Sequence, residues 1–197
     1  MAENKIKYGL KNVYYAKATI ATNGSATYST PVAIPGAVNL SLEPQGETTK
    51  FYADNIVYWT GVNNQGYEGD LEIARVPDSF KTDILGYIVS EKNVLVEDVN
   101  APAVHFALLF QFEGDEKATR HIIYNCTATR PSAAGSTKNE NIEPQTETIT
   151  ISATSIYVST LGTGGADIVK GESYSSTDAT TYNTWYSTAY VPATIHT

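Results

Sequence analysis

Apolar and polar side chains alternate with a period of two along several stretches of the chain, and this period is typical of half-buried β-strands. The clearest stretch covers residues 38–43. It predicts that Val38, Leu40 and Leu42 face the core, and that Asn39, Ser41 and Glu43 face away from it. Similar alternation predicts strands near residues 13–20, 48–53, 70–73 and 147–153.

A different pattern, apolar on both faces, marks residues 106–112. Phe106, Leu108 and Phe110 share one face, whereas Ala107, Leu109 and Gln111 share the other. Because a strand with one solvated face would alternate, this run predicts a central strand covered on both sides. A polar turn follows, and residues 120–129 are expected to return as the partner strand of a hairpin.

One helix is predicted, at about residues 77–90. Pro77 suits the first turn of a helix, and Asp78 suits its positively polarised N-terminus. Apolar residues then recur at helical spacing, which predicts a stripe packed against the sheet. The members of this stripe are Phe80, Ile84, Leu85 and Ile88.

Composition narrows the function classes. The chain has 197 residues, enough for one buried core, and its 14 tyrosines favour β-structure. Its formal net charge of −8 disfavours duplex binding, which needs Lys or Arg against phosphates. The single cysteine, Cys126, excludes an intramolecular disulfide. We expect no membrane span and no secretory signal, and hence synthesis in a cytoplasm.

No arrangement of residues predicts catalysis. His105, His121 and His196 lack the spacing of a metal motif, and the glycines of residues 162–165 lack the Lys-Ser/Thr of a phosphate loop. Acidic neighbours such as Asp70 and Glu72 could carry acid–base chemistry, but solvated surface charge is the stronger interpretation in an acidic chain. The sequence therefore predicts no enzyme, no metal and no cofactor.

Five short segments, in a characteristic order and spacing, are more specific than the composition. They are YGLKNVYY at 8–15, PGAVNLSLEPQGE at 35–47, FYADN at 51–55, GYEG at 66–69 and PDSF at 77–80. Together they resemble the major tail protein, or tail tube protein, of bacteriophages with long non-contractile tails. The resemblance covers roughly residues 5–155.

The resemblance implies an antiparallel β-sandwich or half-barrel flanked by one helix, with extended loops and arms. It also implies a structural virion protein, made in the host bacterial cytoplasm, whose hexameric rings stack into a hollow tube that conducts the genome during ejection. Partners would be further copies of the chain, a tape-measure protein, and tail terminator and distal tail proteins. DNA would pass through without specific binding, and no membrane would be involved.

Within such a tube, the strands at 38–43 and 48–53 would join the 106–129 hairpin in an inner sheet that lines the bore. Asn39, Ser41, Glu43, Gln111 and Glu113 would face the lumen. Two polar segments would leave the sandwich to contact neighbouring rings: a turn at 44–48 and a loop at 130–144. The candidate stacking residues are Pro44, Gln45, Gly46, Glu47, Thr48, Ser132, Gly135, Lys138 and Asn139.

We expect a single tail-tube domain over residues 1–197. It would comprise an N-terminal arm with the first strand (1–35), a β core with the helix (36–155) and a Gly/Ser/Thr-rich C-terminal segment (156–197). Two other functions remain open. A monomeric carbohydrate-binding β-sandwich would use Trp59 or Trp185 as a stacking platform, and a small hydrolase would need a carboxylate pair in a cleft.

Overall fold

The structure is a computed structural model that describes residues 6–114, 118–137, 144–162 and 164–193. The strands are β1 (Leu10–Ile20), β2 (Ala26–Tyr28), β3 (Val32–Ala33), β4 (Ala37–Gln45), β5 (Thr48–Ala53), β6 (Ile56–Val62), β7 (Gly66–Ile73), β8 (Ile88–Val89), β9 (Leu95–Val96), β10 (Phe106–Phe112), β11 (Arg120–Ala128), β12 (Glu147–Thr154), β13 (Ile156–Val158), β14 (Ala166–Ile168) and β15 (Lys170–Glu172). The helices are α1 (Asp78–Asp83) and α2 (Ala179–Thr184). The protein is mainly β with antiparallel sheets, as the alternation predicts.

One large sheet organises the molecule. Its strands follow the order β2–β1–β10–β11–β12–β7–β4, with β3 also paired to β1 and β15 also paired to β11. The sheet curves enough that Leu40 and Tyr67, near one edge, line the same groove as Phe110 and His121 from its middle. It does not close into a barrel, because β4 pairs only with β7 within the described residues. The result is an open half-barrel with free sheet edges.

Two hydrophobic cores lie on opposite faces of this sheet. Phe106, Leu108 and Phe110 belong to the first core, whereas Ala107 and Leu109 belong to the second. The prediction of a central strand covered on both sides is therefore confirmed. The first core is closed by α1, and the second by β13 and by Trp185 at the end of α2.

The predicted helix is too long. Helix α1 has only six residues, Asp78–Asp83, and Ile84 forms its C-cap. Gly86 has φ of 73°, a left-handed conformation that ends the helix at little cost because glycine has no Cβ. Phe80, Ile84 and Leu85 are buried in the first core, but Ile88 lies in β8 and is 56% exposed. Ile88 is thus not part of a helical packing stripe.

Helix α1 is fastened to the sheet by aromatic contacts. The Phe80 ring meets Tyr15 and Phe106 edge to face, with centroid distances of 5.1 and 5.5 Å. The Tyr15 hydroxyl donates a hydrogen bond to Asp83 at 2.8 Å. Burial raises the pKa of this tyrosine to about 12, so it remains a neutral donor over the physiological range.

The strand predicted at 38–43 exists, but Val38 is misplaced. Ala37 pairs with Ile73 and Asn39 pairs with Glu72, so a β-bulge leaves Val38 without a partner. Its side chain is 52% exposed and does not enter the core. Leu40 and Leu42 are partly buried against the first core. Alternation alone could not reveal the bulge, because the extra residue preserves the local apolar pattern.

The prediction of an inner sheet is also partly wrong. Strand β4 does belong to the large sheet, but it reaches the β10–β11 hairpin only through β7 and β12. Strand β5, at Thr48–Ala53, pairs only with β6 and forms a separate two-stranded hairpin. Its residues point to solvent on both faces, which the sequence pattern does not predict.

Candidate assembly surfaces

The polar face of strands β4, β7 and β12 is strongly acidic. Its exposed or half-exposed side chains include four carboxylates, and the three strands contain no Lys or Arg. The carboxylates are those of Glu43, Glu68, Asp70 and Glu72. Thr150 and Thr146 donate to Asp70 at 2.8 Å and to Glu72 at 2.6 Å, so threonine hydroxyls stabilise two of the charges.

Two of these carboxylates oppose each other directly. Glu43 of β4 is the register partner of Glu68 of β7, so both side chains emerge on the same face. Like charges directly opposite on an antiparallel pair destabilise the sheet. The next pairs along the ladder are Ser41 with Asp70 and Asn39 with Glu72. The negative charge of this surface therefore lowers the stability of the sheet locally.

The residues predicted to face a lumen do not all share this surface. Asn39, Ser41 and Glu43 are exposed on β4. Glu113 is exposed in the turn after β10. Gln111 is only 6% exposed, and its side-chain oxygen accepts hydrogen bonds from Asn12 and Tyr186, each at 3.2 Å. The expectation that Gln111 faces a lumen is wrong, because the C-terminal residues cover that face of β10.

The β5–β6 hairpin forms a second notable surface. It continues the β4–β7 ladder, since the amides of Asn63 and Gln65 donate to the carbonyls of Glu47 and Gln45. Seven large apolar side chains on it are 46–80% exposed. They are Phe51, Tyr52, Ile56, Val57, Tyr58, Trp59 and Val62. Such a concentration of exposed apolar residues is typical of an interaction site.

The predicted stacking turn lies at the base of this hairpin. Pro44 and Gln45 end β4, Gly46 and Glu47 connect the strands, and Thr48 begins β5. All five residues are exposed. The turn where the chain leaves the sheet lies where the sequence predicts it, but the hairpin that projects from this turn is not apparent from the sequence pattern.

A third surface is the β8–β9 hairpin and the residues that follow it. Five aliphatic side chains there are 50–79% exposed. They are Ile88, Val89, Val94, Val96 and Val99. The hairpin is held in place by Glu97, whose carboxylate binds Arg130 at 2.7 Å and accepts a hydrogen bond from Tyr87 at 2.9 Å.

The two hairpins lie at opposite ends of the large sheet. The β5–β6 hairpin projects from the Gly66 end of β7. At the other end of β7, Ile73 pairs with Ala37 and Glu147, and α1 follows. The Thr129 amide donates to the carbonyl of Thr150, and from there the chain runs antiparallel to β12 towards Glu147, the partner of Ile73. Arg130 therefore lies nearer to this second end. Through Arg130, the β8–β9 hairpin is fixed to the α1 end of the sheet.

The predicted stacking loop at 130–144 begins at this same end. Ser132 and Gly135 are exposed, and no atom lies within 4 Å of a Cβ built on Gly135. Lys138 and Asn139 lie outside the described residues. The two segments predicted from sequence therefore start at opposite ends of the strands.

The described residues contain no cluster of three or more potential metal ligands. The His105 ring lies 2.7 Å from the Asn125 side chain, and His121 stacks on Phe110 with 5.0 Å between ring centroids. Burial raises the pKa of the Cys126 thiol to about 12, which leaves it unreactive at neutral pH. None of the described helices has the length and apolar character needed to span a membrane.

The structure separates the candidate residues of the two other functions. Trp185 is only 2% exposed, so it cannot stack on a sugar, whereas Trp59 is 57% exposed on the β5–β6 hairpin and keeps the carbohydrate-binding alternative open. A groove of about 530 Å³ lies between Leu42, Phe112 and Lys170, but Glu172 is the only carboxylate among its described lining residues. The carboxylate pair that a hydrolase would need is absent from that lining.

Comparison with protein families places these surfaces in context. The family model described as phage tail tube protein matches residues 2–189. The chain belongs to this family. The match extends well beyond residue 155, into the C-terminal residues that cover the second core. A comparison with curated proteins finds no match.

Family membership defines the chain as a structural component of the tail tube in a phage virion. It also implies that copies of the chain associate with one another into a tube. An exposed apolar hairpin and free sheet edges are what such an association needs.

Proposed function

We propose that six copies of this protein close into a ring, and that the rings stack into the hollow tube of a long, non-contractile tail through which the genome leaves the capsid. The acidic face of β4, β7 and β12 lines the bore. Asn39, Ser41 and Glu43 lie on this wall. The tube is built from chains made in the host bacterial cytoplasm, around a tape-measure protein, and is completed by tail terminator and distal tail proteins.

The observation that carries this proposal is the acidic face without a cation. Proteins hold DNA by placing Lys and Arg against phosphates, and each such contact adds affinity. A wall that presents Glu43, Glu68, Asp70 and Glu72 offers no such contact. DNA therefore passes along it with little friction. The direct opposition of Glu43 and Glu68 supports this role, because folding alone would disfavour it.

Ring closure is supported by the free edges of the half-barrel. Strand β4 has unpaired backbone groups on its outer side within the described structure. Exposed edges favour pairing with another chain, and a repeated rotation between copies closes such contacts into a ring.

Electron cryomicroscopy of concentrated protein, with and without purified tail tips as initiator, tests the assembly. The expected result is tubes with sixfold symmetry and with Glu43 and Glu68 on the inner wall. Compact monomers in both conditions would refute the assembly. Tubes with these residues on the outer wall would refute the bore assignment.

Virions assembled with Glu68→Lys protein test whether the acidic face lines the path of the genome. Genome release should slow, because each ring then presents cations to passing phosphates. Asp167→Lys is the matched control, since Asp167 is an exposed carboxylate on β14, away from the acidic face. Equal release from both variants would argue against the acidic face as the bore wall.

A further inference from the structure

We infer that a pocket between β11, β15 and α2 binds one uncharged pyranose unit of a carbohydrate. The pocket has a volume of about 400 Å³, within the usual range for small-molecule sites, and residues of the second core form its floor. Three observations support the inference: a buried hydroxyl without a partner, an aromatic wall, and a rim with an ionised carboxylate. The chemistry of the site stands on the monomer, whereas its location on the virion rests on the proposed tube.

The Tyr124 side chain lines this pocket and carries the hydroxyl that has no partner. The residue is only 1% exposed, and among the described residues no group forms a hydrogen bond with this hydroxyl. The Tyr124 carbonyl, by contrast, accepts from the Tyr28 hydroxyl at 2.8 Å. Buried polar groups in folded proteins nearly always have a partner. The free hydroxyl therefore points to a ligand group that the described part of the chain does not supply.

Gly171 leaves the room that this hydroxyl occupies. A Cβ built on Gly171 would lie 2.6 Å from the Tyr124 oxygen, so a larger residue would displace the hydroxyl. Burial raises the pKa of Tyr124 well above its ordinary value, so the hydroxyl stays protonated at neutral pH and can donate. A sugar hydroxyl has the lone pairs to accept this hydrogen bond.

Aromatic side chains supply an apolar wall. The rings of Trp185 and Tyr190 stack with 5.7 Å between centroids and an interplanar angle of 17°. Trp185 is too buried to stack on a ligand, but it supports Tyr190, which lines the pocket and is 37% exposed. A tyrosine ring offers a rigid apolar surface. The C–H face of a pyranose suits this surface, and the sugar hydroxyls remain free for polar partners.

The rim of the pocket suits neutral sugar hydroxyls better than an anion. Asp178 lies there and accepts from the Thr181 amide at 3.0 Å through one oxygen, Oδ2. This hydrogen bond lowers the pKa of Asp178, so the carboxylate is ionised and its second oxygen can accept from a ligand. Glu172 adds a second negative charge, which Lys170 at 3.4 Å partly offsets. Such a rim disfavours phosphates and acidic sugars.

The pocket lies on the side of the molecule opposite the acidic face. Leu42 of β4 and Phe110 of β10 pack into the first core from two sides, so the outer surfaces of these strands point in opposite directions. The acidic face is the outer surface of β4, β7 and β12, whereas the second core covers the outer surface of β10. In the proposed tube, where the acidic face lines the bore, the pocket therefore faces the outside and can meet polysaccharides there.

Repetition along the tube compensates for weak binding at each site. A monosaccharide offers few contact atoms, so we expect a dissociation constant in the millimolar range. Every proposed ring presents the same pocket several times, and contacts of many such sites with one polysaccharide raise the avidity without any new contact. The outside of the tail thereby gains a reversible adhesion to glycans.

NMR titration of the monomer, below the concentration at which tubes form, tests the pocket. The probes are glucose, galactose, rhamnose and N-acetylglucosamine, with glucuronate as the acidic comparison. At least one neutral sugar should give saturable shifts at the Trp185 indole and the Gly171 amide, and glucuronate should bind more weakly. Absence of saturable shifts with all four neutral sugars would overturn the inference.

Tyr124→Phe is the decisive variant, because it removes only the hydroxyl that has no partner. It should weaken sugar binding by about tenfold and should not lower the free energy of unfolding. Tyr28→Phe is the matched control: it removes a hydroxyl that donates to the Tyr124 carbonyl, so it should lower the stability but preserve binding. The opposite pattern would give the Tyr124 hydroxyl a structural role and would contradict the inference.

Trp59→Ala separates this pocket from the exposed indole of the β5–β6 hairpin. Sugar binding should survive this change. Its loss in Trp59→Ala protein, with binding intact in Tyr124→Phe protein, would move the sugar site to the hairpin.

The tube is assessed separately, by electron cryomicroscopy of the wild-type protein. If tubes form but the monomer binds no sugar, the inference fails and the proposed function stands. If the monomer binds sugar but no tube forms, the pocket stands and the proposed function fails.

Discussion

The opposed carboxylates of Glu43 and Glu68 predict that certain substitutions raise the free energy of unfolding, whereas most substitutions lower it. Replacing either one with lysine should stabilise the monomer, because a repulsive pair becomes an attractive pair. Two unit charges about 6 Å apart interact by about 0.7 kcal/mol in the dielectric of water. Reversing the sign therefore changes the free energy of unfolding by at most about 1.4 kcal/mol, and side-chain mobility at an exposed site reduces this to about 0.2–1 kcal/mol.

A double-mutant cycle isolates the effect. Glu43→Lys and Glu68→Lys should each raise the free energy of unfolding, and the double variant should return close to the wild-type value, because two lysines repel as two glutamates do. Glu and Lys are both unfavourable in strands, so β-propensity contributes little to the differences.

The assay is urea unfolding of monomers, below the concentration at which tubes form, at low salt. The stabilisation of the single variants should shrink in 1 M salt, where the screening length is about 3 Å. A double variant more stable than both single variants, or stabilisation unaffected by salt, would refute the reasoning. It would mean that the two side chains do not face each other across β4 and β7.

Four further results are expected. Ile84→Asp should prevent folding, because it buries an unpaired carboxylate in the first core, and soluble tube-forming Ile84→Asp protein would contradict this. Leu40→Ala should cost about 1–2 kcal/mol in urea unfolding, less than the 2–5 kcal/mol of a fully buried leucine, since Leu40 is only partly buried; a loss above that range would place Leu40 deeper in the core. If the loop contributes to ring stacking, deletion of residues 132–139 should leave the circular dichroism of the sheet unchanged but stop tube elongation. Normal tubes from the deletion variant would show that the loop has no role in stacking. The free energy of unfolding should fall as pH rises from about 9 towards 12, because burial raises the pKa of the Cys126 thiol from 9.0 to about 12. The stabilisation from this thiol is complete below its unfolded-state pKa and is lost as pH rises through its folded-state pKa. Cys126→Ala protein should lose less stability over this range, and an equal slope in both proteins would exclude the thiol as the source of the loss.

Sequence patterns predicted the elements whose burial follows a simple period. The double-faced run at 106–112 identified the central strand, because both faces of β10 meet a core. The alternation at 147–153 likewise identified β12, whose Ile149 and Ile151 are buried.

The patterns failed where backbone geometry interrupts a period. Ile88 continues the apolar spacing of α1, but the left-handed Gly86 turns the chain before that residue is reached. Val38 fits the alternation of β4, but a bulge rotates it outward. Neither a bulge nor a helix end changes the order of apolar residues, so periodicity cannot detect them.

The assembly surfaces were missed for a different reason. Apolar residues in a strand pattern usually belong to the core, so residues 51–62 resemble ordinary core strands in the sequence. Only the pairing of β5 with β6 alone shows that these residues have nothing to pack against in one copy. An interface therefore resembles a core in the sequence, and only the three-dimensional structure separates the two.

The location of Trp185 has a consequence for quality control during synthesis. Strand β1 leaves the ribosome early but pairs with β10, which is made about a hundred residues later. The second core is completed only by residues that follow α2, among them the buried Trp185 and Ala189. The Trp185 indole N–H donates to the carbonyl of His121, and Arg120 stacks on Tyr182 and Tyr186. Such long-range closure delays completion of the second core until these residues have been synthesised. A chain truncated before Tyr182 still contains every strand of the large sheet but leaves the second core open, so it does not reach the fold that assembly of the tube requires.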